Sequence, residues 1–187
     1  MWSNCEIGNK RGEAEDLCNI GIIMGDYNEN KAFENLNASL KIFKQIGYKR
    51  GEAGAFANIG WIHLNNGDLD EARKLFEDSL KRHEEIGDLN EQATDFGDIG
   101  LAYKAKRDFE NALKNLKRAL EIDRKISDKG READDLHLIG LVYLDKGDLL
   151  NALKNLLEAQ TLLDRFNLVA GRQEIQDAIN SIANKVH

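Results

Sequence analysis

The side chains able to do chemistry in this chain are few, and their spacing points away from catalysis. His83, His137 and His187 have no cysteine or carboxylate partner at metal-ligand spacing. Cys5 and Cys18 form no CxxC pair, so both read as small apolar side chains in a reducing compartment. The stretch Gly67-Asp68-Leu69-Asp70-Glu71 has a faint look of a calcium loop but lacks the DxDxDG spacing, and reads as a helix cap. A P-loop, a GxGxxG after a strand, GxSxG and HExxH are all missing. The expectation is therefore a protein that is not an enzyme, with no metal and no cofactor. What remains is the chemistry of recognition: the amides of Asn19 and Asn58, and the large apolar ring of Trp61.

Those residues must be positioned by something, and the sequence shows what. Asn58-Ile59-Gly60 returns as Asp98-Ile99-Gly100 and again as Leu138-Ile139-Gly140, forty residues apart each time. Ala32, Ala72, Ala112 and Ala152 keep the same period. A repeat of this length signals stacked units, which present extended surfaces and rarely build a buried catalytic pocket. In the unit Glu52 to Glu85, residues Phe56, Ile59, Gly60, Ile62 and His63 recur at three- and four-residue spacing, one face of a helix. His63 holds the slot of Tyr103 and Tyr143, so it reads as a packed core residue. At Asn65-Asn66-Gly67-Asp68 the helix is expected to end on Gly67, with Asp68 and Glu71 forming a capping box for the next. A second amphipathic run follows through Ala72, Leu75, Phe76, Ser79, Leu80 and Ile86.

The following units repeat this scheme, with Lys106-Arg107-Asp108 and Gly147-Asp148 at their turns. The first unit is irregular. Its turn glycine comes early in Gly21-Ile22-Ile23-Met24-Gly25-Asp26, which predicts a shorter first helix and a looser corner over Tyr27 to Asn30. Met1 to Gly8 resembles the end of a second helix from a preceding unit. Val169 to Val186, with Ile175, Ile179 and Ile182 on one face, reads as a capping helix. The units span about 10–47, 50–87, 90–127 and 130–166, with the cap over about 168–185, in one domain.

Composition agrees. Proline is absent from the 187 residues, as suits a chain helical nearly throughout. The net charge of −7 argues against sequence-independent nucleic-acid binding and against anionic membranes. With no basic-then-apolar leader and no long apolar run, the protein is expected to be cytoplasmic.

The pattern Phe56-x2-Ile59-Gly60-x2-His63 with Ala72-x3-Phe76 resembles the tetratricopeptide repeat signature, as do Phe96-x2-Ile99-Gly100-x2-Tyr103 and Leu136-x2-Ile139-Gly140-x2-Tyr143. Leu17-x2-Ile20-Gly21 with Ala32-x3-Leu36 is a degraded further copy. The units are longer than that family's usual 34 residues and lack its final proline. In this they resemble the Pins/LGN adaptors, the kinesin light chains and bacterial peptide-sensing regulators. The resemblance implies an all-α fold: an α-solenoid, a right-handed superhelix of about four helix-turn-helix units plus the C-terminal capping helix.

It also implies a concave groove, lined by the first helix of each unit, that holds a peptide or protein partner. Carried over residue by residue, the groove takes Asn19 and Ile22 from the first unit and Asn58, Trp61, Leu64 and Asn65 from the second. The third contributes Asp98, Leu101 and Lys104, and the fourth His137 and Leu141. In such proteins an asparagine at the position of Asn19 and Asn58 bonds to the partner's backbone; Asp98 is a near match. The arginine that the Pins/LGN group carries for acidic partners is replaced here by Glu15, Gly54, Thr94 and Asp134.

The plainer readings are that Trp61, Leu101 and Leu141 pack between neighbouring first helices, that Asn58 makes an inter-helix or solvent hydrogen bond, and that Asp98 is a solvated surface charge. Two alternative functions stand beside the groove. One is a homodimer through the N-terminal face, with Trp2 docking on another chain. The other is the peptide-sensing part of a larger regulator.

Overall fold

The computed structural model describes residues 4–25 and 27–186. Its described residues form nine helices and no strand: α1 (Asn4–Gly25), α2 (Glu29–Ile46), α3 (Lys49–Asn65), α4 (Leu69–Ile86), α5 (Leu89–Ala105), α6 (Phe109–Ile126), α7 (Lys129–Lys146), α8 (Leu149–Arg165) and α9 (Arg172–Val186). None of them is long and apolar enough to cross a membrane. The chain divides within α5 into two compact units, one ending at Asp95 and the other beginning at Phe96. The four helix pairs and the final helix are the all-α repeat architecture expected from the sequence.

Backbone geometry at the corners explains where each helix stops. Gly67 and Gly147 take left-handed φ values of 82°. Between units the same role falls to Gly47, Gly87 and Ser127, at φ 70°, 68° and 63°. At Gly87 the Asp88 N–H returns to His83 O at 3.0 Å and the Gly87 N–H to Glu84 O at 3.1 Å, which satisfies carbonyls the helix end would leave open. Aspartates then start the next helices: Asp108 Oδ1 accepts from Asn111 N at 3.2 Å, and Asp148 Oδ1 from Asn151 N at 3.1 Å.

Arg107 fills the corner slot of Gly67 and Gly147 with φ 61°, where a side chain crowds its own backbone. Arg107→Gly is therefore expected to raise stability by about 0.5–1 kcal/mol, after losing the guanidinium's contact with Phe109 and after glycine's greater freedom when unfolded. A urea midpoint that falls instead would contradict the strain.

Three expectations need correction. Asp68 makes no side-chain cap bond; its Oδ2 lies 3.2 Å from His63 Nδ1, while Glu71 faces Lys74 at 3.4 Å, so the capping box does not form. The first helix is not short: α1 runs 22 residues, the longest of the described helices. Gly25 is its last residue and keeps a right-handed backbone, and Asn28 caps α2 by accepting from Lys31 N, so the step from Gly25 to Glu29 equals those from Asn65 to Leu69 and from Ala105 to Phe109. Asp26 itself is outside the described residues. Ile7 and Gly8 lie inside α1 rather than ending a preceding helix. A glycine costs a helix interior only about 1 kcal/mol, so it marks a stop only where the chain must turn.

Each unit buries its own core. In the first, Leu36, Leu40 and Phe43 of α2 meet Ala55, Phe56 and Ile59 of α3. In the second, Leu116, Leu136, Ile139, Leu156 and Leu163 pack with Ile175, Ala178 and Ile182 of α9, which covers α8 as a cap should. The pairs close around glycine. A Cβ added at Gly60 would stand 2.7 Å from the Phe76 ring, one at Gly100 2.7 Å from Leu116 Cγ, and one at Gly140 2.8 Å from Leu156 Cγ. The recurring Gly is thus a hole for the large side chain of the paired helix, with Ala72, Ala112 and Ala152 fully buried beside it.

Candidate functional site

In the first unit α1 and α3 carry the residues expected at the groove. Four of them, Ile22, Asn58, Trp61 and Asn65, line one cavity of about 190 Å³. Ile22 is half exposed and Trp61 37% exposed. Trp61 rests edge-on against Phe76 with ring centroids 5.9 Å apart, so the buried ring that fills the Gly60 hole also supports the exposed one. Asn58 Nδ2 donates to Gly54 O at 2.8 Å and approaches Cys18 Sγ at 3.7 Å. The short bond stays within α3 and only the longer contact with the Cys18 sulfur crosses to α1, so Asn58 stands at the cavity held in one orientation.

Asn19 is exposed and lines a second cavity, of about 350 Å³, with Cys18, Tyr48 and Gly54. Burial raises the Cys18 thiol above its ordinary range, against hydrogen bonds from Asn58 and Ser39, so it is a protonated, poorly nucleophilic free cysteine. Leu64 is half-buried and lines neither cavity.

The second unit treats its five residues differently. Asp98 is only 6% exposed, so it is not the solvated charge of the plainer reading. Lys104 Nζ pairs with Asp145 at 2.9 Å. Leu141 packs against the unit's hydrophobic core, and Leu101 is half-buried. Burial lowers the pKa of His137 despite the opposing charge of Glu174, which favours neutral imidazole near pH 7. These groups are packed or paired, whereas those of α1 and α3 surround open space.

Two buried polar clusters were not foreseen. Asp95 accepts from Ser79 Oγ at 2.7 Å and lies 2.6 Å from His83 Nδ1, all three residues being buried. Forty residues on, the same slots hold Ala119, Asp123 and Asp135, so a carboxylate faces a carboxylate. Asp123 and Asp135 share a hydrogen bond, and Asp135 is pushed up to about 8 by burial first and by the charge of Asp123 second. Arg131 Nε sits 3.1 Å from Asp123 Oδ1 without hydrogen-bond alignment, and Asp135 Oδ2 finds no hydrogen-bond partner among the described residues. The next slots hold Ala159, Leu163 and Ile175. The signal was available: polar residues at positions that are apolar in the last corner. Among the described residues no group of three or more His, Cys, Asp or Glu is placed to hold a metal.

The family model described as tetratricopeptide repeat matches residues 51–125 and 91–165, more than half of the sequence. The chain belongs to the tetratricopeptide repeat family. Its α1/α2 pair lies outside the matched residues, yet a Cβ added at Gly21 would stand 2.7 Å from Leu36 Cγ, the same glycine hole as in the matched repeats.

Solved tetratricopeptide-like structures resemble it in fold. The apo form of RapI is 17% identical with a TM-score of 0.77, over 93% of this chain and 70% of that one. Aspartyl phosphate phosphatase F from Bacillus subtilis is 12% identical with a TM-score of 0.86, over 95% of this chain and 47% of that one. The nearly identical TPR-like repeats of a putative kinesin light chain from Podosopora anserina are 14% identical with a TM-score of 0.70, over 93% and 94%. This chain thus spans about half the length of the phosphatase. No curated protein matches the sequence.

Proposed function

We propose that this chain is a protein-interaction module, not an enzyme, that holds an extended peptide segment on the face formed by the first helices of its repeats. The observation that carries this reading is the gathering of Ile22, Asn58, Trp61 and Asn65 around one open cavity between α1 and α3. An apolar ring beside amides held on rigid helices suits an extended chain, whose side chains need a pocket and whose backbone needs hydrogen-bond partners. Asn19 extends the surface along α1. Asp98, Leu101, Lys104, His137 and Leu141, on the first helices of the later repeats, belong to the proposed face as packed or paired side chains rather than as anchors.

The test is a peptide library against the purified protein, followed by Trp61→Ala and Asn58→Ala. Both exchanges leave the helix intact, because alanine is the best helix former. Trp61→Ala is expected to weaken the selected peptide by at least tenfold and Asn58→Ala by several-fold. If neither weakens it, the face is misassigned.

Self-association has its own supporting observation. Ile20 and Ile23 on α1 and Tyr27 in the turn after it are exposed, Tyr27 at 83%, whereas Ile59, the counterpart of Ile20 in α3, is buried against the preceding pair. The expected contribution of Trp2 lies outside the described residues. Sedimentation at rising concentration separates a homodimer through this face from a monomer. A role as the sensing part of a larger regulator would fit the chain's share of the phosphatase length.

A further inference from the structure

The cavity between α1 and α3 is lined in part by a position that carries no side chain, Gly25. Position 25 corresponds to Leu64, Lys104 and Leu144 in the later repeats, and here it is glycine. A Cβ at Gly25 meets nothing within 4 Å, and its φ is not positive, so neither packing nor a turn requires glycine there. The space of about 190 Å³ is below the roughly 300–1,000 Å³ of small-molecule pockets and suits one side chain; a cavity of about 150 Å³ already holds benzene.

Its lining combines apolar and acidic groups. Ile22, Trp61 and Ile62 supply the apolar surface, and Glu29 joins it with the amides of Asn65 and Asn66. Asn66 Nδ2 donates to Glu29 Oε1 at 2.5 Å, a bond from the end of α3 that fixes the carboxylate at the cavity. Among the described residues no lysine or arginine lines this space, and the chain as a whole carries −7. Glu29 also suits the first turn of α2, where negative charge is favoured. That role needs no amide from α3 and no open space beside it.

We infer that this cavity selects a basic, extended peptide: one apolar side chain inserts against Trp61, and a lysine or arginine two residues away meets Glu29. This deepens the groove reading and rests on it. In an extended strand residues i and i+2 point to the same side, about 6.5–7 Å apart, so both reach one rim. Charge complementarity at the rim supplies the discrimination and the apolar anchor the affinity.

The experiment uses the full chain with Trp2→Phe, which leaves Trp61 as its sole tryptophan and its emission as the reporter. Peptides are compared in pairs identical except for lysine or glutamate two residues from a leucine. The lysine peptide is expected to bind at least tenfold more tightly, with the ratio collapsing towards one in Glu29→Gln. Gly25→Leu, which fills the cavity, should abolish binding of both without lowering the melting temperature, since leucine is the better helix former. Equal binding of lysine and glutamate peptides, or binding that survives Gly25→Leu, overturns the inference while leaving a groove elsewhere on the face. A library in which nothing binds overturns the inference and the groove reading together.

Discussion

Gly100→Leu lowers the melting temperature by about 2–12 °C, whereas Gly97→Ala, in the same helix, raises it. The first effect follows from the 2.7 Å approach of an added Cβ to Leu116 Cγ, with the Ala112 carbonyl oxygen at 3.4 Å behind it. Leu116 is fully buried and cannot swing into solvent, so α5 and α6 must separate. Overpacking of this kind costs about 1–3 kcal/mol, and each kcal/mol moves the transition of a chain this size by about 2–4 °C. Gly97 meets nothing within 4 Å, so alanine there gains helix propensity of about 1 kcal/mol without a clash. Thermal denaturation of both variants checks the pair. An unchanged transition in Gly100→Leu removes the glycine-hole account of how the helices pair.

The second large effect is on pH dependence. Asp135 holds its proton in the folded protein up to about pH 8, driven by burial and by the Asp123 charge, while an unfolded aspartate releases it near pH 3.9. Between these values the folded state binds more protons than the unfolded state, so stability falls as pH rises from about 4 to about 8. Asp135→Asn keeps an amide donor for Asp123 and removes the second negative charge. It is expected to stabilise the protein by on the order of 1–3 kcal/mol at pH 8, little at pH 4, and to flatten the slope between them. Denaturant titrations at pH 5, 6.5 and 8 measure this directly. A mutant with the wild-type slope places the titrating group elsewhere.

The repeat was legible because its units obey local rules. Helical periodicity set the faces, and left-handed corners at Gly67 and Gly147 with aspartate caps at Asp108 and Asp148 set the ends. What escaped depended on partners distant in the chain. Asp68 was free to choose between a helix N–H and the His63 ring, and periodicity cannot rank the two. The Ser79–His83–Asp95 cluster and the Asp123–Asp135 pair arise only when a second helix folds back on the next first helix. Gly25 was read as a turn residue because a glycine before a corner usually is one; in the structure it is helical and lines the cavity. Trp61 and Asn58 were visible on a helix face, but the open space between α1 and α3 was not.

The most direct test of the binding face is hydrogen exchange on the protein with and without the tightest peptide from the library. Slowed exchange is expected in α1, in α3 and in the first turn of α2 around Glu29, centred on Ile22 and on Asn58 to Asn65, with the rest of α2 and α4 unchanged. Protection confined to α2 and α4 would place the partner on the opposite side of the repeats and contradict it.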